Sequence, residues 1–531
     1  MPREDCLLIF GSVRAISRTF KVAIEFVRSL PSTEHDTGIC RARREAHRTL
    51  WMLSAFWNFT CALMGVVKLR VAICGGGIGG LAHACALAKY SDITVNIYES
   101  AAKLSPFGAG IGMWPRAWNV LCALGMGEDM AKITSVSPTN STGPTLSSTV
   151  LASSTDRRSS MTVHSFSFRK SDQSNGFTFG NMFSRGPLLT FHRAQFQEVL
   201  AQHLPQSCRI HHSKRLKSYS QGRYGGPIRL SFEDGTQATC DVLVGADGIK
   251  SAVRSCLLRE QAEFARYSGQ PSNKILACKD YVSWAGSIAY RALIPVERLK
   301  EDCDQGLLVL PTTPTIYVGT DVHMIVYPVS KGQVVNLALF HFQPELQGMP
   351  YPGPWSKEVD ESELFNIARF ERWEPTVKHW LKHIRKPTKW AIHTVVDLPT
   401  YISGRAVLIG DAAHSCSPHQ GTGAGQAIED AYFLAELLGD PRTTLNTLPQ
   451  ALKIYDKFRR PWTQEASAKA MANGRYFTLH HDGFDFSHAD AAAVVQKLHE
   501  LTDLMIDEWK WCWTTTVEES LKAALLQLQD A

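Results

Sequence analysis

Hydrophobic positions follow three different rhythms along the chain. Leu69 to Cys74 (LRVAIC) is a short apolar run rich in β-formers; glycines follow at once, then a helix-like stretch from Leu81 to Ala88 and a second apolar run, Thr94 to Tyr98 (TVNIY). Strand, glycine turn, helix and strand within about 30 residues make a βαβ unit. From Ile210 to Val244 and again from Ser287 to Phe342, polar and apolar residues alternate, which predicts antiparallel strands half covered by helices. Helical spacing marks Trp114 to Leu124, returns at Ala427 to Leu438 and continues through Ala491 to Leu528. The expected fold class is α/β: a Rossmann-like domain interleaved with a second domain on a mainly antiparallel β-sheet, plus C-terminal helices.

Two segments stand apart from these rhythms. Ser135 to Ser160 is dense in Ser and Thr and reads as a surface insertion without chemistry. Trp51 to Val67 is apolar but holds Ser54, Asn58 and Thr60, and it falls short of the roughly 20 residues that span a bilayer. A signal anchor and membrane association through 51–67 are one reading of it. The other is a dispensable extension of residues 1–66, with Met64 just ahead of the first strand. Glu4, Asp5, Glu25, Glu34, Asp36 and Glu45 argue against an acid-poor transit peptide.

With 531 residues, 44% hydrophobic and 20% charged, the chain is long enough for two interleaved globular domains. The net charge of +6 is spread out, with no basic block interleaved with aromatics, so nucleic-acid binding is not expected. The 13 cysteines form no CxxC pair. Neither a metal site nor a disulfide framework is therefore expected, and the thiols suit a reducing compartment such as the cytoplasm.

Gly75, Gly77 and Gly80 satisfy GxGxxG between the first strand and the helix, and Glu99 ends the second strand 19 residues after Gly80. The turn is tight, the backbone must approach a pyrophosphate, and the helix must pack closely on the strand, so each position needs glycine. The helix N-terminus offers free N–H groups to phosphate, and Glu99 can accept from an adenosine ribose. This predicts dinucleotide binding and leaves FAD or NAD open.

Two further segments, DVLVGADGIKSAVR (Asp241 to Arg254) and GDAAHSCSPHQGTGAGQAIED (Gly410 to Asp430), join the glycine motif in resembling the class A flavoprotein monooxygenases, which include para-hydroxybenzoate and salicylate hydroxylases. PHQGTGAGQ (Pro418 to Gln426), AYRALIP (Ala289 to Pro295) and HMIVYPV (His323 to Val329) resemble salicylate hydroxylase and its fungal relatives. The likeness covers roughly Leu69 to Phe477; the N-terminal extension, the Ser/Thr-rich insertion and the tail depart from it. It implies a resident FAD and NADH or NADPH as a transient co-substrate, since no second GxGxxG occurs. It implies O2 and a flavin C4a-hydroperoxide that hydroxylates a phenolic or aromatic-acid substrate, in aromatic catabolism or fungal secondary metabolism.

By the same resemblance, Asp411 meets the ribityl chain, Ala424 and Gly423 meet the flavin edge, and Asp247 belongs to a motif that serves both FAD and NAD(P)H. FGAGI (Phe107 to Ile111) with Gly112 touches the flavin or ribityl chain, and Arg193 reaches the FAD. The FAD-binding domain is expected at 67–135, 188–255 and 395–475, the substrate domain at 136–187 and 256–394, and a helical tail at 476–531. A monomer or homodimer is expected.

A phenolate is a far better nucleophile than a phenol. Lowering a phenol pKa from about 10 to near 7 takes about 4 kcal/mol, whereas one charged hydrogen bond gives about 1.5 to 3 kcal/mol. An arginine with a second donor is nearly sufficient. Arg291 and Tyr327, on predicted strands, match the pair used by related fungal phenol hydroxylases, Arg291 for the phenolate or carboxylate and Tyr327 for the hydrogen-bond relay. His414 and His419 are expected to brace the glycine loop, Pro418 to shape it, and Trp284 and Tyr290 to line an aromatic pocket or pack in the core. Decarboxylating hydroxylation of a salicylate- or 4-hydroxybenzoate-type acid is an alternative outcome; a membrane-anchored FAD-binding protein without hydroxylase activity is another.

Overall fold

The computed structural model describes residues 67–104, 110–134, 162–222, 226–273, 275, 281–301, 313–365, 367, 370–481, 484 and 491–529. The Ser/Thr-rich insertion, the apolar run up to Val66 and Phe107 to Ala109 lie outside these residues. The chain forms two compact units, residues 1–69 with 90–94 and residues 70–89 with 95–531. All twelve residues singled out above for cofactor or catalysis belong to the second unit. Among the described residues, no helix is long and apolar enough to cross a membrane.

A six-stranded sheet carries the glycine motif, in the order Ile402–Ser403, Ala406–Leu408, Val242–Gly245, Leu69–Cys74, Ile93–Tyr98, Arg209–His211. Val71 to Cys74 pair in parallel with Val242 to Gly245, and Leu243 to Gly245 pair in parallel with Ala406 to Leu408. Parallel strands need coverage on both faces, and Val242 to Val244 are fully buried as that requires. Six helices matter to the site: α1 (Ile78–Leu87), α2 (Arg193–Gln202), α3 (Ala252–Tyr267), α4 (Gly423–Gly439), α5 (Leu448–Phe477) and α6 (Ala491–Trp509).

The alternation between Ser287 and Phe342 becomes part of an eight-stranded sheet, antiparallel except where Thr315–Val318 meets Thr162–Lys170. Successive side chains of a strand point to opposite faces. Ile288, Tyr290 and Ala292, Val322, Met324 and Val326, and Val335, Leu337 and Leu339 therefore enter one core, with Trp373, Val377, Trp380 and Leu381 packed on it. The intervening residues Arg291, Ile325, Tyr327, Asn336, Ala338 and Phe340 line a cavity instead. Arg291 pairs with Ala338 and Tyr327 with Asn336, so the arginine and tyrosine flank the same central strand two residues out of step. The parity that exposes Arg291 to the cavity buries Tyr290 in the opposite core. Trp284 joins that core too, so neither aromatic lines the pocket.

Candidate active site

A cavity of about 340 Å³ is bounded by Gly77 to Gly79, Gly110 to Gly112, Gly410, Asp411 and Gly421 to Ala424 on its backbone sides, and by the strand residues above. The glycine motif explains the first boundary. Gly75 has φ +108°, and a Cβ there would lie 2.2 Å from the Ala246 carbonyl oxygen, while one on Gly80 would lie 2.0 Å from the Gly75 oxygen. At Gly77 a Cβ would meet nothing within 4 Å, so the backbone faces open space where a phosphate can approach. No side chain caps α1 at Gly77 or α4 at Thr422, which leaves the first N–H groups of both helices for a ligand.

Glu99 stands beside this turn. Its carboxylate accepts from Gly76 N at 2.7 Å and Ala101 N at 2.7 Å, so it fixes the loop and does not itself line the cavity. Asp247 also lies off the cavity wall. It accepts from Ser251 Oγ at 2.5 Å, Ala252 N at 2.8 Å and Val253 N at 3.1 Å, and so anchors the start of α3. Burial raises its pKa, against the lowering effect of those bonds.

The turn bearing Asp411 is held from beneath. Asp430 Oδ2 accepts from Gly410 N at 2.9 Å and from His414 Nε2 at 2.5 Å, and Asp430 Oδ1 accepts from Arg459 Nε at 2.8 Å. Arg459 also donates to Glu429 at 3.0 Å, and Glu429 accepts from Arg116 Nε at 2.9 Å. Burial would raise the Asp430 carboxyl, but His414 and Arg459 outweigh it and hold it down at about 2. His414 thus braces the turn. His419 does not: its Nδ1 has no partner, it packs 4.9 Å from Phe340 and 5.1 Å from His323, and burial lowers its pKa to about 3.

Arg291 is the cation of the strand face. Its Nε is buried without a hydrogen-bond partner, and no ion pair to it is found among the described residues. Burial lowers its pKa and Arg193 adds to that, while Tyr327 acts the other way; a guanidinium remains charged all the same. Burial pushes Tyr327 up to about 12, with Arg291 opposing, so its hydroxyl stays a neutral donor. Arg193, the first residue of α2, lines the same cavity. Gly110–Met113 pairs with Leu189–His192 just before it, placing Gly112 against Thr190.

Residues 68–470 match the family described as FAD binding domain. The chain belongs to the class A FAD-dependent aromatic hydroxylases. Salicylate hydroxylase of Pseudomonas putida is 32% identical over 470 residues, 87% of this chain and 95% of that protein. The 6-methylsalicylate 1-monooxygenase of Aspergillus terreus is 29% identical over 464 residues, 86% and 92% of the two chains. A solved salicylate hydroxylase substrate complex superposes with TM-score 0.68 at 28% identity, covering 86% of this chain and 98% of that one.

As an FAD-dependent aromatic hydroxylase, the protein meets the cofactor's demands in its own backbone. The open face of Gly77, two uncapped helix N-termini and the Gly410–Asp411 turn around one cavity suit a pyrophosphate, an isoalloxazine edge and a ribityl chain. Of the sequence-predicted residues, Gly77, Gly112, Arg193, Asp411, Gly423, Ala424, Arg291 and Tyr327 share the hydroxylase cavity, while Gly75, Gly80, Glu99 and Asp247 shape it from behind. Sequence reasoning missed Asn336, Thr190 and Trp509, which also line it. Strand parity could have found Asn336.

Proposed function

We propose that the hydroxylase acts on a small phenolic acid, with NADH or NADPH as reductant and O2 as oxidant. One observation carries this reading: Arg291, a half-buried cation whose Nε is buried without a hydrogen-bond partner and which has no carboxylate partner among the described residues, faces a cavity that Phe166, Ile325, Ala338 and Phe340 also line. A buried charge without a partner is costly, and an anionic ligand supplies the missing one. The apolar walls suit an aromatic ring.

Bound FAD would supply the reduction of O2 that delivers a hydroxylating oxygen. Gly75, Gly77 and Gly80 would pass the pyrophosphate, Glu99 the ribose, and Asp247 the order of the loop behind them. Gly112, Arg193 and Asp411 would meet the ribityl and phosphate chain, and Gly423 and Ala424 the flavin edge. Arg291 draws the phenol toward phenolate. Tyr327, whose own proton is held up to about 12, donates its hydroxyl to the same oxygen or passes a proton along it. The electron-rich ring carbon then takes one oxygen atom, the second leaves as water, and the nicotinamide is oxidised.

A substrate bearing a carboxylate as well as a phenol suits the Arg291 cation, with Arg193 left to the FAD. The curated relatives named for salicylate and 6-methylsalicylate point the same way. If oxygen enters at the carboxylate-bearing carbon, CO2 leaves in place of a proton. Residues 67–135, 188–255 and 395–475 would hold FAD, and 136–187 with 256–394 the substrate. A cytoplasmic monomer or homodimer completes the reading.

The test uses full-length protein carrying FAD, mixed with NADH or NADPH and a panel of salicylate, 4-hydroxybenzoate and alkylated phenols, with products and CO2 analysed. Substrate-stimulated oxidation with a hydroxylated product is expected, and CO2 release would assign the decarboxylating course. Flavin-bound protein that none of the panel stimulates would sink the reading.

A further inference from the structure

The helix α6 also reaches the cavity. Trp509, the last residue of α6, is 1% exposed and lines the cavity. Its indole N–H donates to the Gln420 carbonyl at 3.1 Å, and Gln420 Nε2 donates back to the Glu508 carbonyl at 3.0 Å. The Trp114 indole donates to the same Gln420 oxygen at 2.9 Å. Two reciprocal bonds therefore fix the end of α6 to the loop that runs from Pro418 into α4.

The ring is held as firmly as its N–H. It lies 5.0 Å from Phe166 and 5.5 Å from Trp114, centroid to centroid. Phe166 is itself a cavity residue, so the two rings form one continuous apolar wall. Aromatic side chains packed on several sides cannot move aside cheaply. A ligand in this cavity meets a fixed boundary, not a flexible lid.

We propose that Trp509 is the size gate of the substrate cavity, restricting it to phenolic acids with small ring substituents. The inference rests on the phenolic-acid reading above. Rigid apolar walls discriminate by about 10- to 200-fold for a single methylene, so shortening this side chain should admit bulkier rings.

The test compares the unaltered protein with Trp509→Phe and Trp509→Leu, each purified with bound FAD. Binding of 2-hydroxybenzoate and of its 6-propyl derivative is followed by the change in flavin absorbance, and turnover of both by product formation. The bulky-to-small ratio, in affinity and in kcat/KM, is expected to rise by roughly tenfold in the Leu variant, with a smaller rise for Phe. Flavin-bound variants whose ratio equals that of the unaltered protein would overturn the size gate. Trp509→Phe keeps a ring in the cluster and decides the matter if the Leu variant does not accumulate. Failure of the unaltered protein to bind or turn over any phenolic acid would instead count against the functional reading and the gate that depends on it.

Discussion

Arg459 is a buried arginine and Arg291 a half-buried one, and their surroundings push them in opposite directions. Burial works against the charge at each. At Arg459, Asp430 and Glu429 more than compensate and raise the pKa. At Arg291 nothing compensates in full, a second cation adds to the cost, and the pKa falls. The first arginine closes a neutral network of Arg116, Glu429, Asp430 and Arg459 beneath the Asp411 turn. The second is left open toward a cavity. A satisfied buried charge marks scaffold, and an unsatisfied one marks the place where a ligand finishes the electrostatics.

Four experiments would break or sharpen that contrast. Arg459→Ala removes a buried partner of both Asp430 and Glu429, leaving them only His414 and Arg116 as cations, and should cost about 3 kcal/mol of stability, read by urea unfolding, along with weakened flavin retention. A loss below about 1 kcal/mol would mean that the network is not the scaffold described. Arg291→Ala removes a cation with no ion-pair partner among the described residues and only a distant contact with the Trp390 ring, 5.9 Å to its centroid, so stability and bound flavin should hold. Its kcat/KM should drop by about 30- to 150-fold, or roughly 2 to 3 kcal/mol. Unchanged substrate affinity and unchanged hydroxylation in that variant would eliminate Arg291 as the anion site.

The histidines extend the comparison to pH. His323 and His419 are buried with no ion-pair partner among the described residues, and burial lowers both pKa values, that of His419 to about 3. Their ordinary value is about 6.5. Each neutral ring therefore contributes stability that is complete above about pH 6.5 and is lost as pH falls toward the depressed folded value, by about 1.4 kcal/mol per pH unit. The unfolding midpoint should fall between pH 7 and pH 5, and less steeply in His419→Phe. An identical slope in the variant would show that His419 takes no part. The smallest effect belongs to Tyr327→Phe, which removes one neutral donor and should cost about 1 kcal/mol in kcat/KM, with a steeper dependence on substrate phenol pKa as the accompanying sign.

What could be read in the sequence was what is local. The glycines, Glu99 and the Gly410–Asp430 segment are set by short-range geometry, and Gly77, Asp411, Gly423 and Ala424 of these line one cavity. Arg291 and Tyr327 lie on strands whose alternation is visible in the sequence; the same alternation assigns Tyr290 to the opposite face, a deduction available before any coordinates. Asp247 stood out as part of a motif, yet its bonds to Ser251, Ala252 and Val253 depend on how the loop turns into α3. Trp509 gave no signal at all. Helical periodicity identifies an apolar face but not its partner, and Gln420 lies 89 residues away.

The Gln420 carbonyl, shared by the indoles of Trp114 and Trp509, also bears on how the protein is made. The ribosome delivers the glycine motif more than 400 residues ahead of Trp509. Until then the loop entering α4 lacks one of its two indole donors and the cavity lacks a wall. A nascent chain could assemble its parallel sheet first, but its cavity takes final shape only once α6 has emerged, and a message truncated ahead of α6 would specify a protein with an unfinished room.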